Sequence, residues 1–101
     1  MVYLIAHPGY GAAKVGIGRI GGRRLEQHVN AGWQVVFTVE CPGIQALDVE
    51  RQILAHWRGD LGLPHLLGPE EMLQGGWTET VDLDAIDTPV TIVKIKELAA
   101  T

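Results

Sequence analysis

Apolar residues in this chain come in short bursts separated by glycine, proline and charge. VYLIA, residues 2–6, is a continuous apolar run stopped by His7-Pro8-Gly9. It reads as a buried strand followed by a loop. KVGIG, residues 14–18, is a second strand interrupted by Gly16 and Gly18. The glycine-rich loop between the two predicts an antiparallel hairpin. Residues 23–31 read as a short helix, with Leu25, His28, Val29 and Gly32 along one side and Gly32 as its stop. WQVVFTVE, residues 33–40, carries the β-branched and aromatic content of a strand and runs into Cys41-Pro42-Gly43.

The longest helical pattern covers residues 44–58. Ala46, Leu47, Val49, Ile53, Leu54 and Trp57 share one arc, and Gln45, Asp48, Gln52 and His56 lie opposite. Residues 59–76 read as loop, with one helical turn over 69–73. Thr88-Pro89 makes a helix start, Thr88 as N-cap and Pro89 in the first turn. That helix extends to residue 99 with Val90, Val93 and Glu97 in one row, and its β-branched content leaves a strand as the alternative. The order β-β-α-β-α-loop-α predicts an α+β fold: a small three-stranded, mainly antiparallel sheet flanked by helices.

Composition narrows the class. At 101 residues one domain, 1–101, is expected, and 47% hydrophobic with 20% charged residues is ordinary for a globular chain. No apolar run is long enough to span a bilayer, and MVYLIAHPGYG lacks the basic start and long apolar core of a signal peptide. Cys41 is the one cysteine, which excludes an intrachain disulfide and a cysteine-built zinc cluster. A cytoplasmic protein is the simplest reading. The net charge of -4 is unevenly spread: Lys14, Arg19, Arg23 and Arg24 precede the first acid, Glu26, whereas acids dominate from Asp60 onward. Either the N-terminal part meets an anionic ligand or the surface charge is scattered by chance.

Gly16, Gly18 and Gly21 spell G-x-G-x-x-G, and Glu40 stands about twenty residues later at a strand end, as a dinucleotide fingerprint requires. The context is wrong. A loop separates the glycines from the apolar strand 2–6, the following helix is short, and the chain has no room for the usual parallel strands. Another pattern covers residues 2–80. Val2-Tyr3-Leu4 and Lys14-Val15-Gly16 on two strands, Arg24-Leu25 opening the next helix, ALDVER at 46–51 and Gly76-Trp77-Thr78-Glu79 follow one another in order. In this order and spacing the chain resembles the GIY-YIG nuclease superfamily, in the subgroups whose second motif reads Lys-Ile-Gly. Gly16 and Gly18 are then expected to bare the sheet for DNA or a metal, with Gly21 and Gly22 turning the chain into the helix.

Glu50 stands out without any family. It falls within the apolar arc of its helix, where a carboxylate is costly unless a divalent metal or an arginine such as Arg24 compensates. The resemblance implies more. Glu50 would be the Mg2+ or Mn2+ ligand, Tyr3 would act on the attacking water, and Arg24 would neutralise the phosphate. Lys14 replaces the second motif tyrosine, with Tyr10 in the intervening loop as a substitute hydroxyl. Arg23 could exchange roles with Arg24. His28, one turn after Arg24, could move a proton or be structural. Glu79 could complete the site or be a surface acid, and Lys14, Arg19, Arg23 and Arg24 would face nucleic acid. The implied activity is metal-dependent endonuclease cleavage of DNA in a repair, restriction or mobile-element context. A domain this bare would need a second copy, a partner protein or a structured substrate. The rival is a catalytically inactive binding module of the same fold, in which Glu50 pairs with Arg24.

Overall fold

The computed structural model describes residues 1–19 and 21–101. The anticipated hairpin forms its centre. β1 (Val2–His7) and β2 (Ala12–Ile17) pair antiparallel, with Tyr3 opposite Gly16 and Ile5 opposite Lys14. Gly11, at φ 61, supplies the left-handed residue that the tight connection needs. α1 (Arg23–Asn30) leads to β3 (Gln34–Val39), which pairs antiparallel with the other side of β1. α2 (Gly43–Ala55) runs into a π-helical turn, His56–Asp60. A 3-10 turn, Trp77–Glu79, precedes β4 (Thr80–Asp82), and α3 (Thr88–Ala99) closes the order. The sheet is four-stranded, in the order β3-β1-β2-β4, and every pairing is antiparallel.

Side-chain alternation along the hairpin splits the interior into two layers. Val2, Leu4, Ala13 and Val15 pack against Ala46, Val49, Ile53 and Trp57 of the α2 segment, with Val81 and Ile95. Tyr3, Ile5 and Ala12 face the other way, onto Trp33, Leu67 and Met72, with Leu25 of α1 and Trp77 at the margin. The long loop is therefore a working wall, because it delivers Leu67 and Met72 to the second layer.

The α+β class holds, with one more strand than the three expected. β4 is only three residues long, too short to show an alternation in the sequence. The last segment is helix rather than strand. Its cap is Asp87, whose carboxylate accepts from the Val90 amide at 3.0 Å, so Thr88 lies inside the helix instead of capping it. Thr91 and Ile95 face the core, while Val90 and Val93 of the expected row are exposed. β3 lies at the sheet edge, and a bulge between Leu4 and Ile5 leaves Val36 without a partner on β1. Its β-branched residues suit an edge strand with most side chains in water. Residues 69–73 form hydrogen-bonded turns and no helix. No helix among the described residues is long and apolar enough to cross a membrane.

Gly16 is the tightest point of the hairpin. A Cβ there would lie 2.5 Å from the Tyr3 hydroxyl and 2.6 Å from its Cε1, whereas one at Gly18 would keep 3.8 Å from the same ring. Gly16→Ala should therefore cost roughly 1–3 kcal/mol, as overpacking does, and Gly18→Ala much less. Urea unfolding of the two variants checks this.

Candidate functional site

The cleft lies just beyond the first residue of β4. β4 pairs with β2 only as far as Lys14, opposite Thr80, so among the described residues that side of Gly16 and Ile17 carries no strand. At this gap lies a cleft of about 230 Å³ lined by Tyr3, Lys14, Gly16, Ile17, Arg24, Glu50 and Glu79. Neighbouring residues of a strand point to opposite faces, so a cleft lined by both Gly16 and Ile17 wraps around the free edge of β2. The first turn of α1 brings Arg24 to it, α2 brings Glu50, and the 3-10 turn brings Glu79.

Tyr3 and Lys14 form its buried part. Tyr3 is fully buried, and its hydroxyl has no hydrogen-bond partner among the described residues. Burial pushes the phenol's pKa up. The nearby Arg24 guanidinium opposes that rise, although it completes no hydrogen bond to the hydroxyl, and Glu50 and Glu79 add to it. Lys14 is 1% exposed. Its Nζ donates to the Val15 carbonyl at 3.2 Å and sits 5.8 Å from the centre of the Tyr3 ring. Gly76, at φ 92, covers it: a Cβ there would lie 2.6 Å from Lys14 Cε. Burial pulls the lysine pKa down against the opposing pull of Glu79 and Glu50, and Arg24 adds to the fall.

Glu50 is half-buried, and its pKa is raised first by burial and then by Glu79. Lys14, Arg24 and Arg51 oppose the rise without overcoming it. Among the described residues, neither Lys14 nor Arg24 forms an ion pair with a carboxylate; His56 and Asp60 make the one close pair. The Glu50–Arg24 pair expected of an inert module is thus not formed. Two carboxylates that repel one another beside a water-accessible cleft suit a hard divalent cation. Groups of three or more His, Cys, Asp or Glu fit to enclose a metal are not found among the described residues. Glu50 and Glu79 are the carboxylates that the cleft offers to such an ion, which would keep most of its water.

His28 stands behind Lys14 rather than in the cleft lining. It is 1% exposed, its Nδ1 accepts from the Gln74 amide at 3.3 Å, and its Nε2 has no partner among the described residues. Burial, then Lys14 and Arg24, bring its pKa down to about 4, so the ring is neutral at pH 7.

The remaining candidates lie elsewhere. Tyr10 stacks on His7, ring centres 4.4 Å apart, at the hairpin turn, and does not line the cleft. A substitute hydroxyl is not supplied from there, because the strands carry the turn away from the Tyr3 end. Arg23 and Arg19 are exposed and outside the lining. Gly16 does not bare the sheet, because the Tyr3 ring fills the space above it. The Gly18 amide is committed to the Met1 carbonyl at 3.0 Å and the Gly22 amide to Arg19 at 2.9 Å, which leaves neither free for a pyrophosphate. Sequence reasoning missed Ile17 and Gln74, and it took Gly76 only as the first residue of a motif, since a helical wheel or a strand alternation says nothing of a loop folded over a lysine. Comparison of the chain with protein-family models, with curated proteins and with solved structures finds no match.

The folded pKa of His28 lies below the ordinary 6.5, so the stability it contributes is complete above pH 6.5 and is lost as pH falls toward about 4. His28→Gln should remove this part of the acid limb, at most about 1.4 kcal/mol per pH unit. Glu50 acts with the opposite sign in both proteins, since its raised pKa favours the folded state on acidification. Chemical unfolding at several pH values between 4 and 6.5 reads the difference between the two.

Proposed function

We propose that the chain is a GIY-YIG-like domain that hydrolyses nucleic-acid phosphodiester bonds, with DNA as substrate and Mg2+ or Mn2+ as cofactor. One observation carries the reading. Tyr3, Lys14, Arg24 and Glu50, far apart in the chain and singled out by motif order, line a single cleft together with Glu79. A chance likeness of short motifs gives no reason for such convergence.

Each side chain has a task that its surroundings suit. Arg24, exposed at the rim, binds the phosphate and meets charge as it develops. The unpartnered Tyr3 hydroxyl orients the attacking water. Lys14, its ammonium form disfavoured by burial, receives the water's proton at Nζ. Glu50, with Glu79 beside it, would hold the divalent ion, which when bound supplies positive charge to the phosphate and the departing oxygen. Recognition of sequence would come from a second copy, a partner protein or the shape of the substrate.

The acidic balance of the chain favours one rival, a module of this fold that binds without cutting. Cleavage assays on supercoiled, single-stranded and branched DNA with Mg2+ or Mn2+ separate the two. Wild-type protein should cut at least one substrate. Glu50→Ala and Arg24→Ala should lower the rate by about 10²-fold or more, and Tyr3→Phe by a comparable factor. A folded protein that binds DNA, cuts none of these, and binds Mn2+ no better than Glu50→Gln would be the inert module.

A further inference from the structure

Arg58 lies outside the cleft, yet it grips the backbone on both sides of a cleft residue. Its Nη2 donates to the carbonyl of Thr78 at 2.6 Å and to that of Thr80 at 2.8 Å. Its Nη1 donates to the Leu63 carbonyl at 3.0 Å. Residue 79 stands between the two carbonyls held by one nitrogen, and the Glu79 side chain enters the cleft from there. Thr80 reinforces the hold: its hydroxyl donates to the Trp77 carbonyl at 2.7 Å and accepts from the amides of Leu66 and Leu67.

The route by which Arg58 reaches this place is local. α2 ends at Ala55, and the next five residues form a π-helical turn in which the Leu61 amide bonds to the His56 carbonyl at 3.0 Å. A π turn rotates the following side chains away from their α-helical positions. Trp57 stays in the core while Arg58, half-buried, is directed to the 77–80 backbone. Glu50 lies on α2, the helix that leads into this turn. A cation donating to several carbonyls at such distances makes charge-assisted bonds, stronger than those between neutral groups.

We infer that Arg58 is a positioning residue: by clamping the Thr78 and Thr80 carbonyls it fixes the backbone that presents Glu79, whose carboxylate accepts from the Thr78 hydroxyl at 2.6 Å, in the cleft it shares with Glu50 and Lys14. The inference rests on the reading of the cleft given above for its bearing on catalysis, but the clamp itself is testable without activity. Glu79 is the largest charge holding the Lys14 pKa up against burial, so Lys14 reports where the carboxylate is.

The experiment follows the Lys14 side chain by NMR through a pH titration in wild type, Arg58→Met, Glu79→Gln and the double variant, with thermal unfolding to verify that each is folded. Arg58→Met should lower the Lys14 pKa as far as Glu79→Gln does, and the double variant should go no further. Arg58→Lys, which keeps the charge without the planar fork, should fall between. An unshifted Lys14 in a folded Arg58 variant, or shifts that add in the double variant, would overturn the inference. Should the variants not fold, the wild-type protein still decides: a clamped guanidinium gives separate, slowly exchanging Nη2 proton signals, and a freely rotating one refutes the clamp. If DNA is cut, Arg58→Met and Glu79→Gln should lower the rate by the same factor, and jointly by no more. If DNA is not cut, the Lys14 titration still tests the clamp while the nuclease reading falls.

Discussion

The contact between the phenol of Tyr3 and the bare backbone of Gly16 governs much of this molecule. These two residues face each other across the central hairpin, and the ring occupies the volume that any larger residue at 16 would need. Because the ring lies over its own neighbour strand, the phenol ends at the free edge of β2 instead of in the middle of the sheet. The same placement buries the hydroxyl without giving it a partner among the described residues. A buried hydroxyl in that state has a standing free-energy cost that a bound water or phosphate oxygen would relieve.

Burial acts on the neighbouring groups in opposite senses, and this gives the cleft its chemical character. It raises Glu50 and Tyr3 and lowers Lys14 and His28, so every one of these groups is shifted toward its uncharged form. Mutual ion pairing would have cancelled the shifts, but the chain keeps the cations and carboxylates apart. The energetic tension is of the kind found at sites that receive a charged ligand. His28 and Gly76 contribute from behind, the first by staying neutral against Lys14 and the second by letting the loop close over the lysine stem.

The elements with strong periodicity were legible from the residues. The hairpin, α1, β3 and α2 form where their patterns place them, although β2 starts two residues early at Ala12 and α2 gives way to the π turn after Ala55, and Glu50 was conspicuous because a carboxylate on an apolar arc violates that arc. Motif order brought out Tyr3, Lys14 and Arg24, all of which reach the cleft. What stayed hidden is set by tertiary contact. Three residues of β4 carry no period, and α3 turns Thr91 and Ile95 inward because α2 meets it on that side. The Asp87 cap lies one residue before the Thr88-Pro89 pair that draws the eye. Arg58 looks like the polar end of a helix until the π turn is known, and Tyr10 looks like a neighbour of Tyr3 until the hairpin separates them.

The 3-10 turn at Trp77–Glu79 sets the size of the opening. Continuing the β4 register backward from Thr80 would set residue 78 against Gly16 and complete the sheet along this edge. The turn instead curls the chain off that path and points the Glu79 side chain across the gap. The opening is thus a length of sheet left unbuilt, and its size is counted in unpaired residues. Any change that let 77–79 straighten would give the sheet more hydrogen bonds and the protein a smaller mouth. Secondary-structure completeness and access to the buried phenol therefore compete at this one segment.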